Sequence, residues 1–184
     1  TKSTTTLDNG TTVTIKYTTN NLNDITYGNS TFVATGSSGT ILTSSDNGTS
    51  WDNGTSGISN SLYGVTYANS TFVATGDSGT ILTSSDNGST WTSRIFTYDN
   101  GTTANYTTNH LYDITYGNST FVATGSSGTI LTSSDGTTWT SRTSGISNTL
   151  NGVIYGNSIF VATGSSGTIL TSSDGTTWDN VTIS

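Results

Sequence analysis

One stretch occurs four times in this chain: Ser37–Trp51 (SSGTILTSSDNGTSW), Asp77–Trp91 (DSGTILTSSDNGSTW), Ser126–Trp139 (SSGTILTSSDGTTW) and Ser165–Trp178 (SSGTILTSSDGTTW). Each copy follows a second shared stretch, such as Asp24–Gly36 (DITYGNSTFVATG), and the four tryptophans of the chain all end copies. Self-similarity of this kind marks a stack of supersecondary units, none of which can bury its own apolar face alone.

Each unit reads as strands and tight turns. In the first, Leu22–Tyr27 is a strand, Gly28-Asn29 a turn and Thr31–Thr35 a second strand. Gly36–Gly39 is a tight connection and Thr40–Ser44 a third strand. After the Asp46-Asn47-Gly48 turn, Thr49–Asp52 around Trp51 is a fourth. Short connections suit antiparallel neighbours, and no window carries the helical period.

The Trp-to-Trp spacings are 40, 48 and 39 residues. A four-stranded unit of about 40–45 residues is the size of one propeller blade, whereas a β-solenoid coil needs only about 20–30. The expected fold is therefore all-β: a four-bladed β-propeller of four-stranded antiparallel blades. One domain covers the chain, with repeats at about 22–61, 62–110, 111–149 and 150–184 after an N-terminal strand segment, 1–21.

The units alternate. DNGTT…YTTN precedes the first and third, at Asp8 and Asp99. SGISNSLYGV (Ser56–Val65) and SGISNTLNGV (Ser144–Val153) precede the second and fourth. The order is A-B-A-B, a pseudo-twofold of two halves. Thr4–Leu7 before Asp8-Asn9-Gly10 matches Ile95–Tyr98 before Asp99-Asn100-Gly101. The N-terminal strand is thus expected to pair beside a last blade, its own or a neighbour's. The second arrangement gives head-to-tail self-association.

Ser84–Trp91 (SSDNGSTW) resembles the Asp-box, or BNR, repeat Ser-x-Asp-x-Gly-x-Thr-Trp. That repeat occurs in sialidases, photosystem assembly propellers and secreted bacterial propellers, and the resemblance extends to all four units. It implies structural roles for Ser44, Asp46, Gly48 and Trp51, and for Ser84, Asp86, Gly88 and Trp91. Ser133, Asp135, Gly136 and Trp139, and Ser172, Asp174, Gly175 and Trp178, take the same roles. The Asp locks its own hairpin by accepting backbone N–H groups, and the Trp covers apolar surface between blades. Around Asp135 and Asp174 the box is one residue shorter, which suits a type I′ hairpin.

Sialidases use three arginines, a Tyr nucleophile paired with Glu, and an acidic acid/base. This chain has two arginines, Arg94 and Arg142, and no Glu, so that chemistry is excluded. A glycosidase in general needs two carboxylates flanking one bond. Most of the eleven Asp already serve turns or boxes. His110 is the single His and reads as a connector residue. There is no Cys, hence no disulfide and no thiolate metal site.

Charge and composition narrow the partners. A net charge of −7 with four cations cannot release phosphate counterions, which excludes nucleic acid. No apolar run of about 18 residues exists to insert in a membrane. Only 29% of residues are hydrophobic and 8% charged. The remaining Thr, Ser, Asn and Gly resemble extracellular and cell-surface proteins. Candidate glycosylation acceptors are Asn9, Asn29, Asn47, Asn53, Asn69, Asn87, Asn100, Asn105, Asn118 and Asn180.

The expected function is a non-enzymatic extracellular structural or adhesive module, a subunit of a surface filament, appendage or layer. The alternative is a carbohydrate-binding propeller that presents Tyr63, Tyr98, Tyr106 and Tyr112 to glycans. Glycosidase and ice-binding activities rank below these. Asp24 and Asp113 start the first strand of the A units, where the B units have Gly64 and Gly152. They are candidate ligands, across a central axis, for water or Ca²⁺, which prefers oxygen donors. The other reading has each bonding only its own strand entrance.

Overall fold

The computed structural model describes residues 2–6, 12–16, 18–97 and 102–181. Among them are four four-stranded antiparallel sheets, one per repeat, each in simple meander order. We number these sheets 1 to 4. Sheet 1 consists of Leu22–Gly28, Thr31–Gly36, Ile41–Ser44 and Asp52–Asn53. The other three repeat this pattern with first strands Leu62–Ala68, Leu111–Gly117 and Leu150–Gly156.

The repeats give these elements for local reasons. The first hairpin turns on Asn29-Ser30 rather than Gly28-Asn29. Both residues lie at positive φ, 45° and 59°, as a two-residue turn matched to strand twist requires. A single 3-10 turn at Ser37–Gly39 makes the next connection. The fourth strand begins after the tryptophan, at Asp52, because the box hairpin holds Thr49–Trp51. Each first strand carries a bulge, at Asn23, Tyr63, Tyr112 and Asn151. Such a bulge re-aims one side chain.

Two small hairpins stand outside the four sheets. Lys2–Thr6 pairs with Thr12–Lys16, from Lys2 opposite Lys16 to Thr6 opposite Thr12. The N-terminal strand therefore pairs with its own neighbour in sequence and not with the last sheet of its own chain. A partner a few residues away costs less loop-closure entropy than one at the far end of the chain. Phe96–Thr97 pairs with Thr103–Ala104 in the insertion. The turns Asp8-Asn9-Gly10 and Asp99-Asn100-Gly101 lie outside the described residues.

Each sheet packs on the next through its first strand, 1 on 2, 2 on 3 and 3 on 4. Three apolar cores result, one per junction. Val33 and Ile41 of sheet 1 meet Leu62, Val65 and Phe72 of sheet 2. Val73 and Ile81 meet Leu111, Ile114 and Phe121 of sheet 3. Val122 and Ile130 meet Leu150, Val153 and Phe160 of sheet 4. Closure of sheet 4 onto sheet 1, expected of a four-bladed ring, is not seen. The faces that would meet are exposed, at Leu22, Ile25 and Tyr27 on one end and Ile154 on the other. Packing at each junction sets the turn from one sheet to the next, and the number of repeats does not change it.

Candidate functional site

The four boxes use their polar atoms on themselves. In sheet 1, Ser44 Oγ donates to Asp46 Oδ1 at 2.8 Å and accepts from the Gly48 N–H at 2.9 Å. The carboxylate also accepts the Ser50 N–H at 2.9 Å and its hydroxyl at 2.6 Å. Asp86 repeats this with Ser84 and Thr90. The short boxes keep the lock with nearer donors. Asp135 accepts from the N–H groups of Thr137 and Thr138 at 2.7 and 2.8 Å, and Asp174 from those of Thr176 and Thr177 at 2.8 and 2.9 Å. The type I′ turn expected there does not form. Gly136 and Gly175 have positive φ, but Asp135 and Asp174 do not, because their carboxylates reach forward to those amides.

Every tryptophan Nε1 donates to its box glycine carbonyl, at 3.0 to 3.2 Å. Their burial differs with box length. Trp139 and Trp178, in the short boxes, are buried, while Trp51 and Trp91 are half-exposed. The expected cover of apolar surface between sheets is fullest at Trp139 and Trp178. Trp51 sits on Phe32 as Trp139 sits on Phe121, with ring centres 6.4 Å apart in both, but Trp51 lies on the face of sheet 1 that no other sheet covers.

These locks make the box carboxylates unusually acidic. Hydrogen bonds from the hydroxyls of Ser50 and Thr90, then from their N–H groups, hold Asp46 and Asp86 down at about 2. At Asp135 burial pushes upward, but the N–H groups of Thr138 and Thr137 prevail and bring it to about 2. The Thr176 hydroxyl leads in lowering Asp174 further.

Asp24 and Asp113 bond their own strand entrance and also reach beyond it. Each accepts the N–H of its own next residue at 2.8 Å. The second oxygen crosses the junction. Asp24 Oδ2 accepts the Val65 N–H at 2.7 Å, and Asp113 Oδ2 the Val153 N–H at 2.8 Å. They clamp sheet 1 to sheet 2 and sheet 3 to sheet 4. Between sheets 2 and 3 the matching residue is Gly64, where a Cβ would come within 3.0 Å of the Asp113 Cα. The Asp/Gly alternation thus writes two kinds of junction. Among the described residues, no group of three or more His, Cys, Asp or Glu gathers to hold a metal ion. Burial raises both carboxyls despite the N–H groups of Val65 and Val153.

The two sets predict an acid profile of opposite signs. A box carboxylate, lower in the folded chain than the ordinary ~3.9, contributes stability that is present above that value. This contribution is lost as pH falls through about 2. Asp24 and Asp113 act the other way, costing stability as pH rises through their raised values. The melting temperature should therefore fall steeply from about pH 4 to pH 2. In Asp86→Asn the fall should be shallower. Parallel thermal melts of parent and variant check this, and equal slopes would remove the lock from the account.

The remaining candidates meet between sheets 2 and 3. The bulge at Tyr63 sends its hydroxyl to Asp77 Oδ1 at 2.8 Å, and this bond raises the phenol. His110 Nδ1 lies 2.8 Å from the same oxygen and 3.3 Å from the Ser78 nitrogen. Tyr112 stacks obliquely on Tyr63 with ring centres 5.4 Å apart and accepts from the Ser126 hydroxyl at 3.2 Å. His110 is therefore more than a connector. Its signal in the sequence was the Asp77 that replaces Ser37, Ser126 and Ser165 of the other units. Tyr106 instead donates to the Thr137 carbonyl and packs on the core. Tyr98 lies outside the described residues.

Arg94 and Arg142 bond Thr83 and Thr132 of their own sheets through Nε, at 2.6 and 2.7 Å. Arg94 follows the last strand of sheet 2 and Arg142 ends that of sheet 3, each tied to its own sheet. Of the candidate glycosylation acceptors, Asn9 and Asn100 lie outside the described residues, and the other eight are exposed. Asn29, Asn69, Asn105 and Asn118 engage their amides in bonds to a neighbouring sheet or loop.

No family model and no curated protein matches the sequence. Solved structures do resemble it. YCF48 bound to a D1 peptide aligns over 100% of this chain at TM-score 0.69 and 18% identity. The computationally designed Ika4 protein aligns over 85% of this chain and 93% of its own, at TM-score 0.67 and 11% identity. A sialidase of Trypanosoma rangeli aligns over 98% of this chain and 40% of its own, at TM-score 0.60 and 14% identity. The chain spans 57% of the length of the YCF48 chain. At these identities the likeness concerns fold alone, and it places the chain among β-propeller-like stacks of antiparallel sheets.

Proposed function

We propose that this chain is a non-enzymatic structural or adhesive module that works outside the cell and associates head to tail into a filament or layer. The observation that carries the reading is the fate of six of its eleven carboxylates. The four box Asp and both clamp Asp have their oxygens engaged by the chain's own N–H and hydroxyl groups. A general acid or base needs an oxygen within reach of substrate. The uncharged Thr, Ser and Asn surface, with eight exposed acceptor Asn, suits a glycosylated exterior.

Electron microscopy of the purified chain tests this. Fibres or sheets that lengthen with concentration are the expected result, and dispersed single particles at every concentration would end the reading.

The second reading, carbohydrate binding, is favoured by one arrangement. Tyr63 and Tyr112 present paired rings beside Asp77 and His110. Flat aromatic faces next to a carboxylate offer both stacking and hydrogen bonds to a sugar. A glycan array with parent and Tyr112→Ala separates the two readings. Binding that the substitution abolishes would establish the lectin, and silence from both leaves the structural module.

A further inference from the structure

The two ends of the stack present faces that every interior sheet has covered. Ile25 of sheet 1 is 55% exposed, while its counterparts Val65 and Ile114 are 4% and 5% exposed. Leu22 and Tyr27 beside it are exposed as well. On sheet 4 the opposite face is open. Val161 is half-buried where Val33, Val73 and Val122 are fully buried. A Cβ on Gly156 or Gly167 would meet nothing within 4 Å. On Gly117 it would strike Tyr155, and on Gly79 the Thr107 carbonyl.

These open faces are the two halves of one interface. Between sheets 2 and 3, a B face already receives an A face. Tyr116 donates to Asn69 Oδ1 at 3.1 Å, and Asn69 Nδ2 donates to the Ser134 carbonyl at 3.5 Å. Sheet 4 repeats the B side with Asn157 and Gly167, and sheet 1 repeats the A side with Tyr27, Ser45 and Thr18.

The sequence then departs from the repeat where cover is missing. Ile154 stands where the other sheets have Thr26, Thr66 and Thr115, and Ile159 where they have Thr31, Thr71 and Thr120. Ile154 is 66% exposed. The uncovered copy of this face is therefore its most apolar copy. Exposed apolar surface gathered on one face marks an interaction site.

We infer that the open face of sheet 4 docks the open face of sheet 1 of a second copy of this chain, repeating the junction between sheets 2 and 3. The inference rests on the self-association proposed above and gives it a surface. Continuity decides the occupant. A second copy brings the matching face in the B-to-A order that the chain already uses, while two sheet 1 faces would meet with no interior precedent. The contact is heterologous, so it closes into a ring or runs on as a filament according to its turn.

Ile25→Asp and Ile154→Asp test it, because both side chains are exposed and their loss leaves the folded monomer intact. Light scattering and sedimentation are run on the parent, each variant and their equimolar mixture, from low to high micromolar, with circular dichroism and melts to verify folding. An unpaired carboxylate in an apolar contact should weaken association by about tenfold or more. Each variant alone should stay monomeric where the parent assembles. The mixture should give dimers and nothing larger, since it restores one good junction between two dead ends. A parent that stays monomeric overturns both this contact and the self-association reading. A parent that assembles while either variant assembles equally well overturns the contact alone. Discrete closed rings of the parent would keep the contact and remove the filament.

Discussion

Trp139→Ala should lower the melting temperature by roughly 6–20 °C. The indole is buried between sheets 2 and 3, in the core formed by Val73, Ile81 and Phe121. It stands 6.4 Å from the Phe121 ring, centre to centre, and its Nε1 is tied to the Gly136 carbonyl at 3.1 Å. Removing it deletes apolar contact, leaves a cavity and orphans that carbonyl. Buried Trp→Ala costs about 3–5 kcal/mol, against a total of about 5–15 for a domain. Trp51→Ala is the internal control. That ring caps the open face of sheet 1 and is half-exposed, so its loss should give a clearly smaller shift. Thermal melts of both at low concentration check the ranking. Equal shifts would mean that the boxes hold their own hairpins only and do not bind sheet to sheet.

Gly117→Ala should destabilise the chain by about 1–3 kcal/mol, the usual cost of overpacking. The added methyl would fall 2.0 Å from Tyr155 Cγ and 2.2 Å from its Cδ1. These atoms are the stem of the ring and not its free end. The ring is itself held against Phe160, with centres 4.6 Å apart, so it has no easy rotamer to escape into. Gly156 occupies the same place in sheet 4 with open space around it. Gly156→Ala should therefore leave the melt of the unassembled chain unchanged. Denaturant unfolding of the pair gives the difference directly, and a Gly117→Ala as stable as Gly156→Ala would show that the sheets can slide apart to accommodate a methyl group.

The strands were legible because each repeat states them again. Val33, Val73 and Val122 recur in the same place and are buried in the same way. The box bonds followed from residue type and spacing alone, since donor and acceptor lie within four residues. Long-range features were harder to read. The Asp24 clamp joins residues 41 positions apart in sequence, and its partner is a backbone N–H, which leaves no mark in a sequence. The visible trace was the Asp/Gly alternation, which reads equally well as a ligand pair. Burial of the tryptophans depends on which sheet covers each ring, as Trp139 is packed between sheets 2 and 3 while Trp51 lies on an uncovered face, and that is set only in three dimensions. Ring closure was inferred from the count of repeats, and that count says nothing of the angle at each junction.

The alternation of clamp and glycine restricts how such a chain changes length. Removing sheet 2 alone would set sheet 1 against sheet 3, an A unit on an A unit. Asp24 would then reach for the Ile114 N–H, which Asp113 Oδ1 already holds at 2.8 Å. Two carboxylates would compete for one donor in a buried seam, with like charges side by side. Removing sheets 2 and 3 together would leave Asp24 facing the Val153 N–H, the partner it is shaped for. Duplication or loss is thus tolerated in pairs and penalised singly. The heritable unit of this architecture is the double repeat of about 80–90 residues, twice the size of the blade that the eye picks out.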